Sequence, residues 1–567
     1  MKKTRKTIAL IIALLMCLTL AVACGNGGND TSSAPPSSSG DSSAPASSSN
    51  NAPPPSSPGP SSVLPTPSVS ENTQVTAPPE EAKKFVEHLE VSIDNNPVAA
   101  VNAFSTGGGQ PAAMWTYNMI YNTLMYDDER GTGEYYPELA TKYETTDWKT
   151  FTFWLRDDVT FHNGEHFSAK DVEYTINLAH SDDAVGSGAA TNWIDVESVK
   201  VIDDYTIEMT LNDVNVDFLG KVCNYFSGIV NEKAITADPV NGTWIGTGPF
   251  YISGFSTMDY IEVTRNDNYW GDPPYTKIIT LRFIPEMSAR TIMLQNGEIQ
   301  LALALNPEDL IIFANDTEHF EIFPNRYNNP NTIGFNMEDP ITGDVNFRKA
   351  CISAIDMEEV AIVAAGDMGE AHTEGVCWGY YSEFRKTDIP AIPYDLDKAR
   401  EYLAASNYNG EEVEIATAIV TMVRASEVIQ QQLNRIGINT RINQMDPASL
   451  SAYAQWDTNK SQIIVFLAGT GLRASGARSV YYPGVSQNRS KYNNPRVNEI
   501  LDTAPTVTDY EARKALYYEM QDIIAEDVPI YNMFWLLNWN VGVKGLGGLE
   551  ITPSGLMNLT YVYLPEN

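Results

Sequence analysis

The stretch Trp148–His180, WKTFTFWLRDDVTFHNGEHFSAKDVEYTINLAH, carries three local signals in succession. Phe151, Phe153 and Leu155 alternate with Thr152, Trp154 and Arg156, the period of a strand with one buried face. Val159 and Phe161 lead to Asn163-Gly164, a pair suited to the left-handed positions of a tight turn. Ser168 then stands three residues before Asp171, ahead of Val172, Ile176 and Leu178. With Asp in place of the usual Glu or Gln this is a capping box, and it predicts a helix starting at Ala169.

Toward the N-terminus the chain is of a different kind. MKKTRK is followed by an apolar run from Ile8 to Ala23, too short for a comfortable membrane span and built like a signal peptide. Leu20-Ala-Val-Ala-Cys24-Gly25 looks like a lipobox, with Ala21 in the usual Leu place, so Cys24 is the expected lipidation site. Gly25 to Pro79 is almost all Ser, Pro, Gly, Ala, Asn and Thr, a composition that cannot offset its ordering entropy. As a flexible tether it spans roughly 40 Å. The expected segments are a signal peptide at 1–23 and a lipid anchor with tether at 24–84.

Residues 85–567 are too many for one hydrophobic core, so two lobes or more are expected. The formal charge of −35 becomes −39 once Lys2, Lys3, Arg5 and Lys6 are removed with the signal, which disfavours nucleic acid as a partner. Outside the signal and anchor the cysteines are Cys223, Cys351 and Cys377, enough for at most one internal disulfide.

Within the body, Glu90–Asp94 reads as an opening strand and Ala112–Met125 as a helix carrying Trp115, Tyr117, Met119 and Tyr121. The glycines of Ser105-Thr-Gly-Gly-Gly-Gln-Pro111 have no following Lys-Ser or Lys-Thr, which excludes a Walker site. Val199, Val201, Ile202, Ile207 and Met209 suggest paired strands. Ser288–Gln295 reads as a capped helix, and Asn296-Gly297 as a turn into a strand Ile299–Leu305. Phe347, Ala350, Cys351, Ala354 and Ile355 fall at helical spacing, and Asp356 with Glu359 forms another capping box. Strand Val413–Ile419, helix Ala425–Ile436 and strand Ile438–Ile442 make an α/β unit. Ala512, Ala515, Leu516, Met520, Ile523 and Ile524 share a helix face that Pro529 ends, and Ile530–Trp539 reads as a strand.

Five stretches in order carry a resemblance: the opening one, Gly246-Thr-Gly-Pro-Phe-Tyr251, Arg265-Asn-Asp-Asn-Tyr-Trp-Gly271, Asn331-Thr-Ile-Gly-Phe-Asn336 and Tyr492-Asn-Asn-Pro-Arg-Val497. Together they resemble the family 5 extracellular solute-binding proteins, receptors of peptide and nickel ABC importers. The resemblance covers nearly all of 86–567 and implies an α/β, two-lobed periplasmic-binding-protein-like fold, large and of the cluster C type, with a cleft between lobes. It places lobe I at 85–330, lobe II at 331–529 and a return to lobe I at 530–567. It implies a monomeric receptor on the outer face of the bacterial cytoplasmic membrane that delivers a peptide to ABC permease subunits, with an oligosaccharide as the alternative ligand. The candidate ligand-lining residues are Trp115, Tyr117, Trp378, Tyr380, Arg424 and Phe466. Trp378 and Tyr380 lie in a glycine-bearing loop, Gly375–Tyr381, and Arg424 stands where some dipeptide binders place a carboxylate-pairing arginine. Peptide-binding members carry an ammonium-pairing aspartate after a buried strand, whereas Phe466-Leu-Ala-Gly-Thr-Gly471 has no acid.

Enzyme chemistry finds little support. His162 and His166 are separated by the Asn163-Gly164 turn and do not share a helix face, so no metal is expected there. H-E-x-x-H, G-x-S-x-G and the EF-hand loop are absent from the sequence. Gly469-Thr-Gly-Leu-Arg-Ala474 fits G-x-G-x-x-A, but Ser475 and Gly476 break the helix a dinucleotide would need, and no cofactor is expected. Asp157-Asp158 and Asp203-Asp204 read as solvated turns. A secreted hydrolase is the competing class, since two catalytic acids can lie far apart in sequence.

Overall fold

The computed structural model describes residues 86–93, 102–105, 111–127, 135–185, 187–305, 307–326, 328–372, 375–380, 382–552 and 557–564. The N-terminal signal and tether, Cys24 included, lie outside them.

In chain order the first region contains β1 (Val86–Ile93), α1 (Pro111–Ile120), β2 (Ala140–Glu144), β3 (Thr150–Leu155), α2 (Ala169–Ala179), β4 (Val196–Asp203) and β5 (Thr206–Leu211). It continues with β6 (Phe250–Ser256), β7 (Tyr260–Arg265), β8 (Thr276–Phe283), β9 (Leu301–Ala302) and β10 (Phe320–Arg326). The second contains β11 (Asn331–Phe335), α3 (Val345–Ala354), α4 (Met357–Ala365), β12 (Gly369–Ala371), β13 (Val413–Thr417), α5 (Val420–Arg435) and β14 (Thr440–Gln444). After β15 (Ile463–Leu467) come α6 (Pro495–Thr503) and α7 (Tyr510–Asp527), and then β16 (Ile530–Val543).

β16 joins the two regions. Its first half pairs antiparallel with β11 and β12, its second half with β9 and β10. A twelve-stranded sheet therefore runs β14-β13-β15-β11-β16-β9-β1-β8-β7-β6, with β10 and β12 added on β16. β13 is parallel to both β14 and β15, as the strand–helix–strand reading of 413–442 requires. A separate sheet, β2-β3-β5-β4, belongs to the first region.

The opening stretch folds as read. Phe151, Phe153 and Leu155 are buried while Thr152, Trp154 and Arg156 are partly exposed. Phe151 packs on Phe218 with ring centroids 5.0 Å apart; burying such a ring is worth about 1.5–3 kcal/mol. In the turn only Gly164 is left-handed (φ +82°), while the Asn163 side chain accepts from the Glu165 N–H at 3.1 Å. The Ser168 N–H and hydroxyl both donate to Asp171 Oδ2, at 2.9 and 3.0 Å, and α2 starts at Ala169.

Several element bounds differ from the reading, each for a local reason. α1 stops at Ile120, short of Met125, because the Ile120 carbonyl accepts from the Gly248 N–H (3.1 Å) and Asn122 and Thr123 turn to the Glu138 carboxylate. The 287–295 helix starts at Met287 on Glu286, with no side-chain cap. Its following strand shrinks to Leu301–Ala302: Ala304 adopts φ +52° and its N–H goes to Asn540 Oδ1. Asp356 caps α4, but Glu359 does not complete a box. It binds Gln432 Nε2 at 2.6 Å, and Gln432 Oε1 takes the Asp356 N–H.

β13 ends at Thr417 and α5 begins at Val420, so Val420–Val423 form its first turn. On α7, Ala512 and Ala515 are exposed; Tyr517, Met520, Gln521 and Ile524 face inward. The polar Gln521 fits inside because it donates to the Phe384 carbonyl (2.8 Å) and accepts from the Lys386 N–H (3.0 Å). Cys223, Cys351 and Cys377 are all free thiols.

Candidate functional site

β13 and β15 run parallel and end at Thr417 and Leu467, while antiparallel β11 begins at Asn331 opposite Leu467. Their loops therefore leave one edge of the sheet, the carboxyl edge at which open α/β sheets bind ligands. The Asn331 amide and Thr417 Oγ1 are buried at this edge and make no hydrogen bond within the described residues.

Two loops are stitched together there. The Gly379 N–H donates to Thr470 Oγ1 at 2.8 Å, and the Glu383 N–H to the Leu472 carbonyl at 2.7 Å. The Gly471 carbonyl accepts from Asn328 Nδ2 (3.0 Å) and from the Ser382 hydroxyl. A Cβ on Gly469 would stand 2.6 Å from Asn329 Oδ1, the end of an exposed side chain that can swing aside.

Tyr380 lies beside this seam. The guanidinium groups of Arg326 and Arg385 stand 4.1 and 4.3 Å from its ring centroid, and Trp535 meets it edge-on at 5.5 Å. Arg326, at the end of β10, pairs with Glu370, its Nε 2.9 Å from Oε2. His372 also packs T-shaped against Trp535, with ring centroids 5.7 Å apart. The crossing strands thus carry an aromatic, cationic cluster next to the loop edge.

Arg473 reaches from the loop after β15 to Asp127 of the first region, where both side chains are largely buried. Tyr135 lies 5.4 Å from its guanidinium. Burial alone would lower the Arg473 pKa, but Tyr135, Asp127, Glu383 and Asp217 outweigh it and hold the group above its ordinary value. Burial raises the Glu383 carboxyl, and Asp217 adds to that shift.

The six candidate residues do not converge on one surface. Tyr380 is partly exposed at the seam. Trp378 is buried in the second region's core, donating to the Glu383 carbonyl at 3.2 Å and packing on Tyr517. Phe466 is buried on the same side of the sheet, 5.1 Å from the Arg489 guanidinium. Trp115 and Tyr117 are buried on α1 in the first region, with Tyr117 stacked on Tyr121. Arg424 is exposed on α5. Asn328, Thr470, Arg326 and Arg473 were not singled out by sequence reasoning. Only Arg473 gave a local hint, as a cation where the loop lacks an acid; the Asp127 partner is 346 residues away.

Among the described residues no three His, Cys, Asp or Glu side chains group as metal ligands. His162 is a packing residue: Nδ1 accepts from the Gly246 N–H (3.2 Å), and Nε2 lies 3.1 Å from the Gly248 carbonyl. Burial pushes its pKa down to about 4. Burial likewise pushes the Cys377 thiol up to about 12, far from a reactive thiolate.

The family described as bacterial extracellular solute-binding proteins, family 5 Middle, matches residues 134–492, more than half of the chain. The chain belongs to this family. Its class is that of the substrate-binding protein of an ABC importer; the family is one of solute-binding proteins, not of enzymes. The heme-binding protein A of Haemophilus influenzae is 26% identical, covering 77% of this chain and 87% of its own. Di/tripeptide-binding protein 1 of Pseudomonas aeruginosa is 25% identical, covering 80% and 89%. The structure of a periplasmic binding protein from Helicobacter pylori in complex with the peptide STSA superposes with TM-score 0.69 at 22% identity, over 85% of this chain and 99% of that one. The two-lobed binding-protein fold of this family is therefore the fold of this chain. Among the described residues no helix is long and apolar enough to cross a membrane.

Proposed function

We propose that the protein captures a short peptide between lobe I (85–330 and 530–567) and lobe II (331–529) and hands it to a membrane permease. The carrying observation is the loop seam around Tyr380 and Thr470, set at the carboxyl edge of the second region's sheet and beside the crossing strands. A ligand touching both lobes there stabilises the closed form by contacts absent from the open one. Relatives named for di- and tripeptides, aligned over most of their length, support peptide as the ligand class. Loop Phe466–Gly471 has no acid, so the peptide is held chiefly through its backbone, by the polar groups of the seam around Tyr380. Cys24 carries the lipid anchor of a monomeric receptor at the outer face of the cytoplasmic membrane, with residues 25–84 as its tether.

The test is a thermal-shift screen of the chain against di- to hexapeptides, cello-, xylo- and manno-oligosaccharides, nickel and heme. A ligand at a hundred times its dissociation constant adds about 2.7 kcal/mol of stability. Peptides alone should respond, and Tyr380→Ala should weaken the response. A response to sugar, nickel or heme alone overturns the peptide reading, and turnover of a responding compound overturns the receptor reading.

A further inference from the structure

We infer that Arg473 is a latch between the two regions, a bridge made of the protein's own charges that favours closure before any ligand arrives. The inference rests on the receptor reading for its biological sense, but its structural basis is independent of ligand identity.

Four observations carry it. Arg473 follows β15 and adjoins Ala474, which is buried in the second region's core; Asp127 follows Met125, which is buried in the first region's core. Their ion pair therefore spans the two bodies, and both side chains are largely buried, at 17% and 12% relative exposure. The receiving surface is shaped for the guanidinium: Gly220 faces it, and a Cβ there would stand 2.8 Å from Arg473 Nε. Gly220 lies in the Phe218–Val222 helix, whose Phe218, Leu219 and Val222 belong to the first core.

Next, ionisable side chains from both sides surround Arg473. Asp127, Tyr135 and Asp217 come from the first region, and Glu383 from the second. Glu383 is itself 4.0 Å from Arg513 on α7, and its N–H holds the Leu472 carbonyl beside Arg473. Finally, a backbone bond crosses close in sequence to this cluster: the Val216 N–H donates to the Pro505 carbonyl at 3.0 Å.

Separating the lobes would part Arg473 from Asp127 and break the Val216 bond. The pair favours closure by the amount that its attraction in the buried site exceeds the hydration both charges regain on opening. Where the loop after β15 lacks an acid to meet a cationic ligand group, it carries a cation that meets an internal acid. The cross-lobe ionic bridge is thus intramolecular, and ligand affinity need not supply it.

The experiment is hydrogen–deuterium exchange of the full chain without ligand, read at the segment containing Val216 and at β3 as a fold control. Arg473→Met and Asp127→Asn should each speed exchange at Val216 by tenfold or more and leave β3 unchanged. The charge swap Asp127→Arg with Arg473→Asp should restore part of the protection. Unchanged exchange at Val216 in both single variants overturns the latch. So does equal acceleration at Val216 and β3, which would make Arg473 a general support of the fold. Because no ligand is present, the two readings fail separately: a peptide binder with unchanged Val216 exchange loses only the latch. A latched protein that binds no solute loses only the receptor reading.

Discussion

Gly246-Thr-Gly248 and Gly469-Thr-Gly471 are the same tripeptide, yet they do different work. The first is pressed into one core. A Cβ on Gly246 would stand 2.0 Å from the Ile120 carbonyl oxygen, and one on Gly248 would stand 2.6 Å from that of Met119. His162 spans this segment, touching the N–H of Gly246 and the carbonyl of Gly248. The second lies at the sheet edge, where Thr470 and Gly471 hold the neighbouring loop and Gly471 turns the chain at φ +68° with open space around it. Two residues later Arg473 crosses to the other region. A short glycine motif therefore says that the backbone is constrained; whether by packing or by a turn depends on what the fold brings to it.

The sharpest way to break the comparison is a side chain at the first segment. Gly246→Val should cost about 3 kcal/mol or more, because the obstructing atom is backbone and cannot swing aside. Urea unfolding measures it, and a loss under 1 kcal/mol would show that α1 shifts freely.

A smaller effect separates the segments by pH. The folded pKa of His162 is lowered from 6.5 to about 4, so the unfolded chain takes up a proton first. The stabilisation is complete above pH 6.5 and is lost as pH falls toward 4, roughly 3 kcal/mol from this group. His162→Gln should flatten that part of the stability–pH curve. An unaltered slope in the variant would assign the acid sensitivity elsewhere.

The smallest effect belongs to the second segment. Gly471→Ala meets no atom and pays only for the left-handed backbone, about 1 kcal/mol. A loss as large as that for Gly246→Val would mean that the second segment is packed as tightly as the first.

The local signals were legible where neighbours in sequence settle them. β3, the α2 start, the parallel β13–β14 pair and the inward face of α5 follow from alternation, capping and helical spacing. The bounds of α1, the strand at 301–302 and the inner face of α7 did not, because Gly248, Asn540 and Phe384 compete for their backbone groups or satisfy a buried polar side chain. Of the six ligand-lining candidates, aromatic type alone could not tell Trp378, sunk against Tyr517, from Tyr380, in contact with two arginines at the seam.

By itself the sequence determined the α/β class, the order of motifs that places the chain in its family, and the separation of a polar N-terminal tract from a long folded body. Those depend on composition and on spacings of a few residues, which the chain carries without any tertiary contact. Only the tertiary structure decided that β16 would bind both regions into one sheet, that Tyr380 would meet Arg326 and Arg385, and that Arg473 would find Asp127. These pairings join residues far apart along the chain, and no local spacing encodes which distant partner a folded surface will supply.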